Sequence, residues 1–574
     1  MSRSPHRPPA EAAAPAAPGL AVVVLAALAV LVTAADTYVV VLALPDVLTG
    51  VGVGLDELQR ATPIIGGFLL GYTATLPLLG RLADLRGRVP VLVGCLLLFA
   101  LGSLLTATAT ELGPAVLGRG LQGVGAGGLV PATLALVADR WPPERRAVPL
   151  GVVGAVQELG AVLGPLAGAA VLAVADWRAI FWLNLLLGLA LAAGVLATGR
   201  TRRPDPLGLA LAVLAAGALG LRLAEPAALA EDVTLGLLWV PVAGVTPLVL
   251  VAVVAGLGLI VRSLARPAGA VLPLRGLPAL ARELDVVGSV LVVVALGTLV
   301  WAFAAADPAT EVVAHGPVLL PVAAAAAVAF VLWERRTPDP VLPLAALRPA
   351  GAWGALLVNL LVGVALVAAL VDVPLFARSL GGDDQLGAAL VLVRLLVAVP
   401  VGAVAGGWLC RVVAPRFVAA GGAALTALAL WAMTGWDAQA LDGAASTVVL
   451  AAAGLGFGLA IAPVNAVLLA VTPPAVHGSA GALAVVARTV GMLVGLALLT
   501  AVALRRFTAE VAAIDPPFEL CPQTPTDCAP YEQATDAAVL TQLHTVFAGA
   551  AVAAALAAVA ALALLRLPRR SPAD

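Results

Sequence analysis

Long apolar runs recur from residue 19 to residue 566, separated by short stretches rich in arginine, glycine and proline. Within each run Leu, Val and Ala follow one another without the strict alternation of a half-buried strand, which argues against a β-barrel. About 20 apolar residues cross the hydrocarbon core of a bilayer as a helix, and in lipid the backbone amides must find partners within the segment. The pattern predicts spans near 19–44, 61–81, 89–109, 112–138, 147–174 and 179–199. Four more follow near 206–224, 237–262, 285–305 and 316–334, and six near 351–374, 386–411, 415–434, 446–471, 477–511 and 537–566. An all-α polytopic membrane protein of about sixteen spans is expected, with both termini on one side.

Composition sharpens this reading. Of 574 residues, 62% are hydrophobic and 11% charged, with a mean hydropathy of +1.07; a soluble domain carries about 25% charged residues. A net charge of −1 suggests no nucleic-acid partner. The four histidines are scattered, so no metal site is expected. No nucleotide-binding or hydrolytic motif is present, so neither an enzyme nor ATP-driven transport is expected, and no cofactor.

Every basic residue is an arginine, a genomic codon bias with no functional weight. Their placement orients the chain. Arg81, Arg86, Arg88, Arg140, Arg145, Arg146, Arg200, Arg202, Arg203, Arg262, Arg266, Arg275, Arg282, Arg335, Arg336, Arg348, Arg566, Arg569 and Arg570 fall on the side of the termini. Both termini are therefore expected in the cytoplasm, with the protein in the plasma (inner) membrane. Residues 1–18 and 567–574 read as cytoplasmic tails, the first disordered. A secretory signal peptide cut near Val32–Ala34 is the alternative, but the apolar run continues to Leu44.

The middle of the chain looks duplicated. Asp205-Pro-Leu-Gly208 and Asp285-Val-Val-Gly288 each open a helical pair, and Val271-Leu-Pro-Leu274 and Val341-Leu-Pro-Leu344 close them. The expected organisation is a six-helix bundle over 19–200, two accessory hairpins over 201–348, and a second six-helix bundle over 349–566 carrying a loop at 512–536.

Charges inside a span are costly and mark candidate functional residues. Asp36 and Arg119 lie at similar depth in spans one and four, with Gln122 one turn on. They read as a pair whose carboxylate takes and loses a proton; a fixed salt bridge is the alternative. Glu158 lies near the midplane of span five, and both Arg488 and Arg394 are candidate partners. In Gly80-Arg-Leu-Ala-Asp84-Leu-Arg-Gly87-Arg88 the glycines permit a tight turn and close helix approach, and Asp84 suits the positive N-terminal end of a neighbouring helix. The motif reads as a latch closing the cytoplasmic side. Gly160, Gly164 and Gly168 share a helical face that favours tight packing, with a candidate kink at Pro165. Cys521 and Cys528 flank an extracytoplasmic loop and form a candidate disulfide. Spans fifteen and sixteen exceed the bilayer thickness, which predicts a helical hairpin projecting outward.

Several of these segments resemble a known family. The 80–88 motif is similar to the cytoplasmic signature of the major facilitator superfamily, Arg119-Gly-Leu-Gln122-Gly123 to its second motif, and Gly160-Ala-Val-Leu-Gly164-Pro165-Leu-Ala-Gly168 to its antiporter motif. Asp176-Trp177-Arg178 with Phe181-Trp-Leu-Asn184 resembles the drug–proton antiporter branch with extra central helices. Asp36-Thr-Tyr-Val-Val-Val41, Gln157-Glu158-Leu-Gly160, Leu370-Val-Asp372-Val, His477-Gly478 and Val485-Val-Ala-Arg488 are similar to the mycobacterial triacylglycerol exporters, which work with a periplasmic lipid-carrying lipoprotein. The resemblance departs at the centre, where those exporters have two extra helices and four are expected here, and at Arg394.

The resemblance implies a proton-coupled exporter of a lipid or other hydrophobic compound working by alternating access, with Arg488 as the partner of Glu158. A multidrug–proton antiporter for amphiphilic drugs is the alternative, with Glu158 meeting a cationic drug. A membrane scaffold or sensor would need neither Asp36 nor Arg119.

Overall fold

The computed structural model describes residues 19–52, 62–198, 205–224, 234–241, 246–265, 285–304, 316–337, 340–342, 344–380, 385–521 and 528–566. These residues are helical, with no strand among them. The predicted tails 1–18 and 567–574 lie outside the described residues, as do Arg200, Arg202, Arg203, Arg266, Arg275, Arg282 and the Val271–Leu274 segment.

The first six helices are α1 (Leu20–Gly50), α2 (Thr62–Arg86), α3 (Arg88–Ala107), α4 (Leu112–Arg140), α5 (Ala147–Leu172) and α6 (Arg178–Thr198). Four central helices follow: α7 (Pro206–Ala224), α8 (Pro247–Ala265), α9 (Val286–Ala304) and α10 (Gly316–Glu334). The remainder are α11 (Ala350–Ser379), α12 (Gln385–Leu396), α13 (Ala398–Leu409), α14 (Pro415–Met433), α15 (Ala444–Val471), α16 (His477–Val511) and α17 (Ala529–Leu564). The apolar segment Leu390–Leu409 makes α12 and α13 one span. It is interrupted at Val397 because Pro400 has no N–H to offer the Leu396 carbonyl.

The chain is an all-α, multi-pass membrane protein, and among the described residues sixteen apolar helical segments stand where the sequence places spans. Among the described residues, 14 helices are long and apolar enough to cross a membrane. The two exceptions, α7 and α9, are apolar over the shorter stretches Pro206–Arg222 and Val286–Ala302. Each opens a central pair just after a charged residue, Asp205 or Asp285, and each is 19 residues long, as are α8 and α10.

Helices α1–α6 pack chiefly on one another, α4 against α2 and α3, and α1 against α5 and α6. In the last group α11 packs on α16 and α17, and α15 on α13 and α14. The two groups meet where α5 touches α13 and α15 and where α16 touches α2 and α4. The central helices form two hairpins, α7 with α8 and α9 with α10. The first leans on α3 and the second on α2 and α16.

Both hairpins start on the same device. Asp205 accepts a hydrogen bond from the Gly208 amide at 3.1 Å, and Asp285 accepts one from the Gly288 amide at 3.1 Å. Each satisfies a backbone donor of the first turn. Each carboxylate also takes a side chain from the second helix. Arg262 donates to Asp205 at 2.6 and 2.9 Å, and the Trp333 indole donates to Asp285 at 2.8 and 2.9 Å. Below α10, buried Glu334 accepts the amides of Val341 and Leu342 at 3.1 and 3.4 Å.

Two opposed faces follow from the interhelix bonds. Arg88 reaches Asp139 and the Pro474 carbonyl, and Arg146 donates to the Leu469 carbonyl at 3.1 Å. The C-terminal ends of α2, α4 and α15 and the N-terminal ends of α5 and α16 therefore share one arginine-rich face, here the basic face. On the opposite face Arg178 donates to the carbonyls of Gly50 and Ala109.

Helices α16 and α17 run for 35 and 36 residues, about 50 Å each at 1.5 Å per residue. His544 of α17 bonds the Trp436 carbonyl at 2.8 Å, in the opposite-face loop between α14 and α15. The turns from Ala529 to His544 thus extend about 22 Å past that loop. At the tip Cys521 and Cys528 are joined by a disulfide, Cα to Cα 5.7 Å.

Glu334→Leu is expected to remove the acceptor for two buried amides, a local cost of about 1–3 kcal/mol. Hydrogen exchange at Val341 and Leu342 should then speed up while exchange in α15 stays unchanged; unaltered exchange at both amides would contradict the assignment.

Candidate functional site

Asp36 and Arg119 meet inside the first helix group. Nη1 of Arg119 lies 2.6 Å from Oδ2 of Asp36, and each residue is 1% exposed. The same nitrogen donates to Oε1 of Gln122 at 3.0 Å, and the Gln122 amide donates to the Ser103 hydroxyl at 2.8 Å. Ser103 in turn donates to the Phe99 carbonyl at 2.8 Å. The second oxygen of Asp36 accepts from Nδ2 of Asn184 at 2.6 Å. The guanidinium lies 4.4 Å from the centre of the Phe68 ring, a cation–π contact that partly replaces lost hydration. Four helices contribute: α1, α3, α4 and α6. A buried charge of either sign is costly unless paired and hydrogen-bonded, and here both oxygens of the carboxylate are occupied.

Glu158 and Arg488 meet between the groups, at 2.7 Å, each partly accessible. The choice of partner for Glu158 falls on Arg488. Arg394 faces elsewhere and donates at 3.3 Å to the Thr447 hydroxyl and at 3.4 Å to the Leu441 carbonyl.

This ion pair lines a cavity of about 220 Å³ between α1, α2, α4, α5, α11 and α16. The remaining walls are mainly apolar, with Val30, Leu69, Leu366, Val367, Leu493 and Leu496 among them; Thr33, Thr37, Tyr72, Gln157 and Thr489 are the polar exceptions. Phe68 belongs both to this wall and to the Arg119 contact, so one ring touches the cavity and the buried pair. Among the described residues, none of α7–α10 lines the cavity.

On the basic face, Asp84 sits at the N-terminus of α16. Its carboxylate accepts from the Gly478 amide, the Ser479 amide and the Ser479 hydroxyl, each at 2.9 Å. These are first-turn donors with no partner inside their own helix, and the negative charge suits the positive helix end. Arg88 pairs with Asp84 at 3.1 Å and with Asp139 at 3.4 Å. Gly87 has φ of 91°, which a side chain would strain. Gly80 permits the approach itself, since a Cβ there would lie 2.6 Å from the Gly478 carbonyl oxygen.

Of the antiporter-motif residues, Gly160 lies against α1, where a Cβ would stand 2.6 Å from Ala34 and 2.7 Å from the Leu31 carbonyl. Gly164 and Gly168 are buried, and α5 continues as helix through Pro165.

Two further polar residues lie buried in spans, and one of them, Asn184, belongs to the site. Asn184 is a polar residue in an apolar span, and that was its signal; its contact with Asp36 across 148 positions was not legible. Asp372 is buried in α11. It stood in plain view as an intramembrane carboxylate.

The family model of the Major Facilitator Superfamily matches residues 26–333. The chain belongs to the major facilitator superfamily. A triacylglyceride transporter of Mycolicibacterium hassiacum is 38% identical over 507 residues, covering 85% of this chain and 81% of that protein. A triacylglyceride transporter of Mycobacteroides abscessus is 35% identical over 85% and 83% of the two chains. A triacylglyceride transporter of Mycobacterium tuberculosis is 35% identical over 88% of each. Among solved structures, the proton:xylose symporter XylE superposes with a TM-score of 0.52 at 14% identity, covering 93% of this chain and 94% of that one. The human organic anion transporter MFSD10 gives 0.51 at 16% identity, over 93% and 99%. At such identities the superpositions speak for the fold alone. The protein is thus a membrane transporter of this superfamily.

Within that frame α2 and α16 are in close contact at the basic face. Gly80→Val is expected to force these helices apart. With Cys95 and Cys410 replaced by alanine, a Ser479→Cys reporter, buried in the parent, should become several-fold more reactive to an impermeant maleimide added on the basic side. Unchanged labelling would mean the glycine contact does not hold that face closed.

Proposed function

We propose that the protein is a proton-coupled exporter of a neutral, triacylglycerol-like lipid, working by alternating access in the plasma membrane with both termini in the cytoplasm. The observation that carries the reading is the cavity wall: largely apolar, with a single ion pair that is neutral as a unit. Such a wall suits an uncharged hydrophobic cargo. It agrees with three relatives, each at least 35% identical over most of the chain and each named a triacylglyceride transporter. The multidrug alternative asks Glu158 to meet a cationic drug, but that carboxylate is already taken by Arg488.

In this mechanism the basic face is the cytoplasmic face, and Asp84, Arg88 and Gly80 form the gate that shuts it. Glu158 and Arg488 tie the halves at mid-depth and part when the cavity opens to the cytoplasm. Asp36 is the proton carrier. Protonation cancels its charge and weakens its hold on Arg119, and Phe68 relays the resulting shift to the cavity wall through its ring contact. Return of the carboxylate restores the pair. Outside, the projecting α16–α17 hairpin gives the lipid a path past the headgroups and a docking place for a periplasmic lipid-carrying lipoprotein. Each Å² of apolar surface exposed to water costs roughly 25 cal/mol, so a covered exit favours release.

Asp36→Asn keeps the shape and an acceptor for Arg119 but cannot cycle a proton. Reconstituted into vesicles with an imposed pH gradient, the variant should fold and insert, yet lose gradient-driven triacylglycerol transfer by at least about tenfold, the equivalent of 1.4 kcal/mol in barrier. Wild-type rates in the variant would remove Asp36 from the coupling mechanism.

A further inference from the structure

The cavity does not end at the ion pair. Beyond it, toward the basic face, lies a second chamber of about 30 Å³. Val130, Gln157, Val485 and Arg488 line both spaces, so the two form one elongated hollow with the ion pair at its waist. The outer part is wide and mainly apolar. The inner part is narrow and carries three amide side chains: Gln157 of α5, Asn359 of α11 and Asn465 of α15. Nδ2 of Asn359 is buried and has no hydrogen-bond partner among the described residues. A buried donor left unmade costs about 1–3 kcal/mol, so this amide is built to meet something that the protein itself does not supply.

The inner end lies against the packed contacts of the basic face. There α5 packs on α13 and α15, where a Cβ at Gly154 would strike Ile461, and α4 packs on α16. Its volume admits about two waters or one small polar group, at 10–15 Å³ for each water-sized probe. None of the three amides carries charge, and the guanidinium beside them is matched by Glu158. The ligand group that fits is therefore small, uncharged and rich in acceptors, joined to an apolar body that occupies the outer part.

We propose that the Gln157–Asn359–Asn465 chamber is the subsite for one ester carbonyl of the lipid, with Asn359 Nδ2 as its donor and the attached acyl chain lying in the outer cavity. The proposal rests on the lipid reading above and adds to it that the protein grips the ester and not the chain alone. A hydrocarbon or an ether lipid of equal length offers the same apolar body without the carbonyl.

The test compares binding of a triacylglycerol with that of its trialkyl glycerol ether, of identical chain lengths, to the purified full-length protein in nanodiscs. Wild type should prefer the ester by about fivefold, the worth of one hydrogen bond of roughly 1 kcal/mol. Asn359→Leu should abolish that preference by weakening ester binding alone, and Asn359→Gln should keep part of it. Asn465→Leu provides a second variant at the same subsite, with the same expected loss. Equal affinity for the two lipids in wild type, or an ester preference that survives both leucine variants, overturns the proposal. So does a loss of both lipids alike in the two variants, which marks a structural role. A wild-type protein that binds neither lipid counts instead against the lipid reading.

Discussion

Arg488 stands near the middle of an apolar helix of 35 residues, and Glu158 is the carboxylate that meets it, from the other half of the molecule. A charge at that depth must be paired, because removing one partner of such a pair leaves the other stranded at a cost of about 3–5 kcal/mol. The halves are therefore not free to sit at any separation. While both side chains are ionised, α5 and α16 are held in register, and the cavity takes its shape around the bond. The same requirement acts within the first half, where Asp36 and Arg119 draw α1, α3, α4 and α6 together through Asn184, Gln122 and Ser103.

Small residues set how closely the two halves approach. Close approaches between the halves occur at Gly80 with Gly478, Gly151 with Ala403, Gly154 with Ile461, Gly407 with Ala147, and Gly481 with Leu134. All belong to the basic-face half of their helices. Little hydrophobic driving force acts between helices in lipid, so such contacts rely on packing and on polar groups such as Asp84 at the end of α16. In a membrane transporter that must open and close, this is apt: the closed face is held by short-range contacts that vanish with a few ångströms of separation.

Much of this was legible in the chain itself. Helix class, the approximate limits of most spans, and the candidacy of Asp36, Arg119 and Glu158 all follow from one rule, that polar groups are expensive in lipid; Asp84 was marked instead by its glycine-flanked motif. What the rule does not give is distance. Glu158 had two arginines of suitable depth, Arg488 and Arg394, and only the rotation of α12 and α16 about their axes separates them. Asn184 was readable as an oddity in an apolar helix but not as the second ligand of Asp36. The central helices were harder. Their helices were legible as apolar runs, but that each pair closes on its opening aspartate, Asp205 with Arg262 and Asp285 with Trp333, was not.

Closure of the basic face is the claim on which the mechanism turns, and one engineered bond tests it. A Cβ built at Gly481 lies 3.6 Å from the Cβ of Leu134, within the range of a disulfide, about 3.5–4.5 Å. In a chain with Cys95 and Cys410 replaced by alanine, Leu134→Cys with Gly481→Cys should cross-link α4 to α16 under oxidation. Lipid transfer by the reconstituted protein should then stop and return on reduction, while the parent lacking the pair is unaffected by the same cycle. Transfer that continues at full rate through the cross-linked protein would contradict alternating access through this face.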